Sequence, residues 1–146
     1  MNGESRNVSV FLDTNVLATY IFKERGRFEI ARRSVKRSTI RGISVITIHE
    51  LYLIAKKLNV ADRFFEAKEL IEKAFRVHPL SQEVCIKAAE LRYSYKLPEV
   101  DALILATAIV NKYSEFHTFD NDFQHLEGSV LEGTKIVYLG KQRSST

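Results

Sequence analysis

Four carboxylates, Asp13, Glu50, Asp101 and Asp120, stand in separate stretches of the chain, with mostly apolar or small residues beside them. Each falls where an open α/β sheet presents its ligand-binding end: directly after a strand-like run, or early in a helix-like one. Carboxylates gathered at one such crevice would repel one another and shift each other's pKa, and a divalent cation relieves that repulsion. An all-oxygen donor set suits Mg²⁺ or Mn²⁺, whereas zinc prefers His and Cys at characteristic spacings. The sequence has no such spacing, because His49, His78, His117 and His125 are scattered and Cys85 is alone. These histidines read as surface or packing residues, with His49 near enough in sequence to Glu50 to assist it. Each acid also has a plainer explanation. Asp13 can be a helix N-cap, Glu50 the acidic half of a Thr47 capping box, Asp101 a first-turn acid favoured by the helix dipole, and Asp120 an Asx-turn residue. Capping explains an acid at each terminus; it does not explain four termini meeting in one crevice.

The elements that must position these acids follow from periodicity. Residues 8–12 form a β-branched and aromatic run stopped by Asp13-Thr14-Asn15, which suits a strand, a turn and a helix start. Helical spacing follows over 16–21, Gly26 interrupts it, and 28–38 resumes as a strongly basic helix before Gly42. Residues 43–46 read as a buried strand, with Thr47 the candidate N-cap of the next helix. Asp62 is the candidate cap of a helix reaching about residue 74, a brief strand surrounds Val77 before Pro79, and Ser81 opens a helix to about Tyr95. Pro98 suits a first helical position, and 99–112 is a nearly all-apolar helix that belongs at the centre. Two more strands are predicted at 115–118, ending in the turn Phe119-Asp120-Asn121-Asp122, and at 135–139. Short strands alternating with helices predict an α/β three-layer sandwich with a mostly parallel central sheet of about four or five strands.

With 146 residues and 45% hydrophobic content, the chain can bury one continuous core. A single domain over 1–146 is expected, its core at about 8–139, with short polar tails at 1–7 and 140–146. A net charge of +4 admits a polyanionic partner without requiring one. The lone cysteine has no intrachain partner for a disulfide, and no apolar stretch approaches bilayer length, so a soluble cytoplasmic protein is expected.

The run from Val8 to Leu17, containing Asp13-Thr14-Asn15, resembles the opening strand and turn of PIN-domain nucleases. The resemblance continues at Thr47-Ile48-His49-Glu50-Leu51, from Pro98 through Asp101 to Ala106, and from Thr118 through Asp120 and Asp122 to Phe123, covering about residues 8–139. Within that family, the compact size is similar to that of VapC-type toxins of toxin–antitoxin systems. The resemblance implies a PIN-like fold and a Mg²⁺- or Mn²⁺-dependent endoribonuclease with Asp13, Glu50 and Asp101 as its central acids. Asp120 is the fourth, in competition with Asp122, while Asn15 and Thr118 match supporting positions and Glu99 could lie just outside. It also implies a small antitoxin covering the acidic cleft and a homodimer held by the early helices.

The expected reaction is hydrolysis of an RNA phosphodiester by a water activated on the cation, without a covalent intermediate. Arg32, Arg33, Lys36 and Arg37 concentrate positive charge on the second helix and could follow a phosphate backbone, although a solvated charged face explains them equally. Three other readings compete with the toxin ribonuclease. These are a housekeeping RNA-processing or ribosome-maturation PIN nuclease, a non-catalytic nucleic-acid-binding PIN module, and a phosphatase using Asp13 as nucleophile. The last is disfavoured because Asn15 stands where a second Asp would serve as general acid.

Overall fold

Side-chain alternation in the first strand sets the layers. In the computed structural model, which describes residues 8–140, β1 (Ser9–Leu12) turns Val10 and Leu12 to one face and Phe11 to the other, all three fully buried. A strand buried on both faces needs helices on both, and the chain supplies them. On the Val10 face lie α1 (Thr14–Ile21), α2 (Phe28–Val35), α3 (Val45–Lys57) and α4 (Phe64–Ala74), contributing Leu17, Ile30, Leu51 and Ile71. On the Phe11 face lie α5 (Gln82–Tyr95) and α6 (Glu99–Val110), which bury Ala88, Leu91 and an almost continuous apolar run from Ile104 to Ile109.

The remaining strands are β2 (Ile40–Ser44), β3 (Arg76–His78), β4 (Glu115–Thr118), β5 (Val130–Leu131) and β6 (Thr134–Tyr138). They form a six-stranded sheet in the order β3-β2-β1-β4-β6-β5. All neighbours are parallel except the β5–β6 hairpin. The α/β sandwich with a mostly parallel sheet is thus as expected, and the extra strand is the two-residue β5. Its hairpin turns at Glu132 and Gly133, both with positive φ, the geometry of a tight type I′-like connection.

Several boundaries differ from the sequence expectation, for identifiable reasons. The second strand ends at Ser44 rather than running over 43–46, because the Ser44 hydroxyl accepts from the Ile46 amide and caps α3 itself. Thr47 is therefore inside the first turn, not the cap. Gly42, read as a break, is a mid-strand position over which the Tyr113 ring lies, and a Cβ there would collide with that ring. Asp62 sits in a short 3-10 turn (Ala61–Arg63), and Arg63 precedes α4 without a side-chain cap. Pro98 is the extended N-cap of α6 rather than its first helical residue, and α2 stops at Val35, where Lys36 takes the C-cap. The tail at 1–7, and all of the other but residue 140, lie outside the described residues. No helix among the described residues is long and apolar enough to cross a membrane.

From β1 the chain moves to β2 and β3 on one side, then returns to place β4 on the other. The carboxyl ends of β1 and β4 therefore flank the point where the strand order reverses, the place where open parallel sheets leave a crevice.

Candidate metal centre

Asp13 leaves the end of β1 as the N-cap of α1. Its Oδ1 accepts from the Thr14 amide at 2.8 Å, and its Oδ2 accepts from the Thr118 hydroxyl at 2.7 Å. Thr118, fully buried at the end of β4, also accepts from the Asp120 amide at 2.9 Å, so one hydroxyl joins the two acidic loops. Asp120 in turn accepts from the Asp122 amide at 2.9 Å, closing an Asx turn. Asn15 Oδ1 accepts from the Phe119 amide at 3.1 Å and locks the same two loops together. Asp101 enters from the first turn of α6.

The carboxylates of Asp13, Asp101 and Asp120 each offer an oxygen atom within 4.8 Å of the others. Glu50, one turn and a half into α3, lines the same cleft of about 300 Å³ together with Thr14, Asn15 and Lys57. Its Oε1 accepts from the Thr14 hydroxyl at 2.5 Å, and because that proton is committed, the Thr47 hydroxyl donates to Thr14 at 2.9 Å. Two threonines thus hold Glu50 towards the acids.

Burial, and then crowding, show in the protonation of the site. Burial pushes the Asp13 carboxyl up to about 7, against hydrogen bonds from Thr118 and Thr14 that favour its anion, and the charges of Asp120 and Glu50 add to the rise. Asp101 is pushed up to about 8, first by burial, then by the charges of Asp13 and Asp120 and by carboxyl–carboxyl hydrogen bonds to Asp122 and Asp120. Acids so placed hold protons near neutrality, and a cation bound there would have to displace them. Hard carboxylate oxygens with no sulfur or imidazole among them fit Mg²⁺ or Mn²⁺.

A family model of the PIN domain matches residues 10–129. The chain belongs to the PIN domain family. Similar solved structures include a toxin–antitoxin complex from Klebsiella pneumoniae, at 29% identity and TM-score 0.66, covering 86% of this chain and 95% of that one. VapC20 from Mycobacterium tuberculosis, described as a sarcin-ricin loop cleaving toxin, matches at 19% identity and TM-score 0.69 over 85% of this chain and 98% of its own. VapBC2 from Rickettsia felis, bound to a promoter DNA fragment, matches at 17% identity and TM-score 0.67 over 90% and 98%. A search of curated protein sequences gives no match.

In this PIN domain, Asp13, Glu50, Asp101 and Asp120 line one cleft, and Asp122 reaches Asp101 from outside the tight oxygen cluster. Asn15 and Thr118 hold the loops. Glu99 is exposed and lies 4.0 Å from Arg92. His49 is exposed on α3, whereas His117 is buried between Ser34 (2.7 Å) and Glu115 (2.8 Å). The basic cluster of α2 is placed differently from the acids: the helix leads into the amino end of β2, and Arg37 pairs with Glu115 at the amino end of β4 through two hydrogen bonds. Sequence reasoning gave Thr14 and Lys57 no role of their own at the site and read Thr47 only as a helix cap paired with Glu50. Thr14 and Thr47 are neighbours in sequence of the acids they serve, and Lys57 follows Glu50 by seven residues, hence on the same helical face.

Proposed function

We propose that this protein is a divalent-metal-dependent endoribonuclease acting as the toxin of a toxin–antitoxin pair. The observation that carries the reading is the convergence of Asp13, Asp101 and Asp120 from three chain segments onto oxygen positions within 4.8 Å of one another. Membership of the PIN family and the toxins among its structural neighbours support it.

Mg²⁺ or Mn²⁺, held by Asp13, Asp101 and Asp120, would acidify a water for attack on the phosphodiester and neutralise charge on the phosphoryl oxygens. The chain's residues do the rest. Thr118 and the Thr14 amide fix both oxygens of Asp13, so the carboxylate is oriented before any ligand arrives. Glu50, steadied by Thr14, faces the cleft as the acid best placed to take a proton from the attacking water. Asp122 supports Asp101 from outside.

The partner in this reading is a small antitoxin that covers the acidic cleft; the toxin–antitoxin complexes among the neighbours support it. A homodimer joined through α1 and α2 belongs to the same reading and rests on the family resemblance, with sedimentation of the purified chain as its test.

The deciding experiment incubates metal-stripped protein with defined RNAs in Mg²⁺, Mn²⁺ or chelator. Cleavage should require metal, and Asp13→Asn or Asp101→Asn should slow it by roughly 10²-fold or more. Binding of RNA by the wild type with no cleavage in either metal would replace the nuclease reading with that of a binding module.

A further inference from the structure

The face of the sheet that carries Phe11 ends, away from the acids, in a polar cavity of its own. It measures about 440 Å³, and its lining includes Ser9, Ile40, Arg76, His78, Lys112 and Tyr113. Ser9, Ile40 and Arg76 are the first residues of the parallel strands β1, β2 and β3, and Lys112 follows the end of α6. Asp101 lies in the first turn of α6 and the helix ends at Val110, so about 14 Å of helix runs from the acid centre to this end of the molecule.

Tyr113 is the fixed wall. Its ring fills the seat left by Gly42 and meets Phe11 edge-on at 5.0 Å between centroids, and its hydroxyl is 2.7 Å from His78 Nε2. Burial, then the charge of Arg76, hold the His78 imidazole below its ordinary pKa, and burial holds the Tyr113 phenol above its own, against the charge of Arg76. Both groups are therefore neutral at neutral pH. A neutral imidazole and a phenol together own two polar hydrogens, and their mutual bond uses one. The other, on Nδ1 or on the phenol oxygen according to the tautomer, has no acceptor among the described residues.

The cations of the cavity are unspent as well. Neither Arg76 nor Lys112 has a carboxylate or hydrogen-bond partner among the described residues, whereas Arg37 is matched to Glu115. Glu115 is level with Val10 in the sheet and so faces the other layer. The cavity thus combines a guanidinium, an ammonium and one neutral donor, and no carboxylate of the described residues lines it.

We propose that this cavity binds the phosphate group of a small phosphomonoester, of which a nucleoside monophosphate is the representative. Such a group carries close to two negative charges at neutral pH and three strong acceptor oxygens. Arg76 and Lys112 balance the charge, the guanidinium presenting a fork of N–H donors that matches phosphate oxygens, and the His78–Tyr113 pair donates its spare hydrogen. A carboxylate ligand would leave one of the two cations unmatched. A bare phosphate ion would leave much of the cavity empty, whereas Ile40, 39% exposed, gives the remainder an apolar wall for a sugar or base. This site stands independently of the acid centre and of its cation.

The test titrates adenosine 5′-monophosphate and, separately, inorganic phosphate into the full chain by calorimetry, with chelator present so that no anion is held through a cation at the acids. Saturable binding of the nucleotide, tighter than that of inorganic phosphate, is expected, with the ring-proton NMR signals of His78 and Tyr113 shifting as the site fills. Arg76→Gln and Lys112→Asn should each weaken nucleotide binding by about tenfold or more, the loss of one charge-assisted bond. Asn is chosen because it tolerates the left-handed backbone of residue 112 (φ 62). Both side chains are exposed, and thermal unfolding of each variant separates a binding defect from a folding defect. Asp101→Asn should bind the nucleotide as the wild type does. The proposal is overturned if neither ligand binds saturably, if inorganic phosphate binds as tightly as the nucleotide, if both cavity variants keep the wild-type affinity, or if Asp101→Asn abolishes binding.

Discussion

Thr118 joins the two acidic loops through one oxygen, donating to Asp13 and accepting from the Asp120 amide. Thr118→Val keeps the shape and removes both bonds in a fully buried place. We expect a loss of about 1–3 kcal/mol, read from the urea midpoint, because a buried carboxylate oxygen and an amide lose their partner. The Asp13 carboxyl should also titrate higher still, since the hydrogen bond that favours its anion is gone. The pH behaviour of the acids has a definite sign. In the metal-free folded protein Asp13 and Asp101 keep their protons up to about 7 and about 8, against an ordinary 3.8, so the folded state binds more protons than the unfolded one between those limits. Their contribution therefore turns against folding as pH rises from about 4 to 8. With chelator present, Asp101→Asn should gain stability relative to the wild type over that range; a constant difference between the two denaturation curves would contradict the titration. Metal binding must expel the same protons, so affinity for Mn²⁺ should rise through pH 7 to 8.

At the scale of elements, α3 shows how local signals mislead and then make sense. Val45 and Ile46 are β-branched and look like strand, and Thr47 with Glu50 looks like a capping box. Ser44 caps the helix instead, so Glu50 lies beyond the reach of a capping box and capping no longer accounts for it. Ser44→Ala should cost about 1 kcal/mol in urea unfolding and, by loosening the turn that carries Thr47, should lower cleavage too. Gly42 makes the complementary case on β2. Its missing side chain is the space that the Tyr113 ring fills, and the Tyr113 hydroxyl reaches His78 at 2.7 Å on the neighbouring strand. Gly42→Ala should destabilise the protein by roughly 1–3 kcal/mol, measured by the same unfolding, because the ring has to shift within a packed face.

The whole molecule has two polar ends with opposite states of charge balance. At the amino end of β4, Glu115 is matched by His117 and Arg37, and its carboxyl is drawn down to about 2, first by the His117 hydrogen bond, opposed by burial, then by that of Arg37. At the carboxyl end Asp13 and Asp101 are buried beside other carboxylates without a cationic partner, and their protons stay bound longer. Carboxylate charge is therefore matched at one end and left crowded at the other. A cation bound only by the folded protein should raise the melting temperature as its concentration increases, by about 2.7 kcal/mol of stabilisation at a hundred times its dissociation constant. Thermal scans with Mg²⁺ or Mn²⁺ should show this for the wild type and little of it for Asp101→Asn. Equal stabilisation of both would place the cation elsewhere.

The sequence alone determined the kinds of element and the identity of the acids. Strand-like runs stopping at Asp13 and Asp120, and the apolar helix carrying Asp101, are local patterns that any fold would have to respect, and parallel topology puts strand ends together. What it left open depended on contacts between residues far apart in the chain. Gly42 as a ring seat and Asp120 rather than Asp122 in the tight cluster are settled by distant partners, the Tyr113 ring, the Thr118 hydroxyl and the Asp101 carboxyl; the Ser44 cap is local, and what lay out of sight there is the bond from Thr47 to Thr14. The direction of the basic helix was likewise out of reach, because periodicity gives a helix its faces but not the end of the sheet to which it runs.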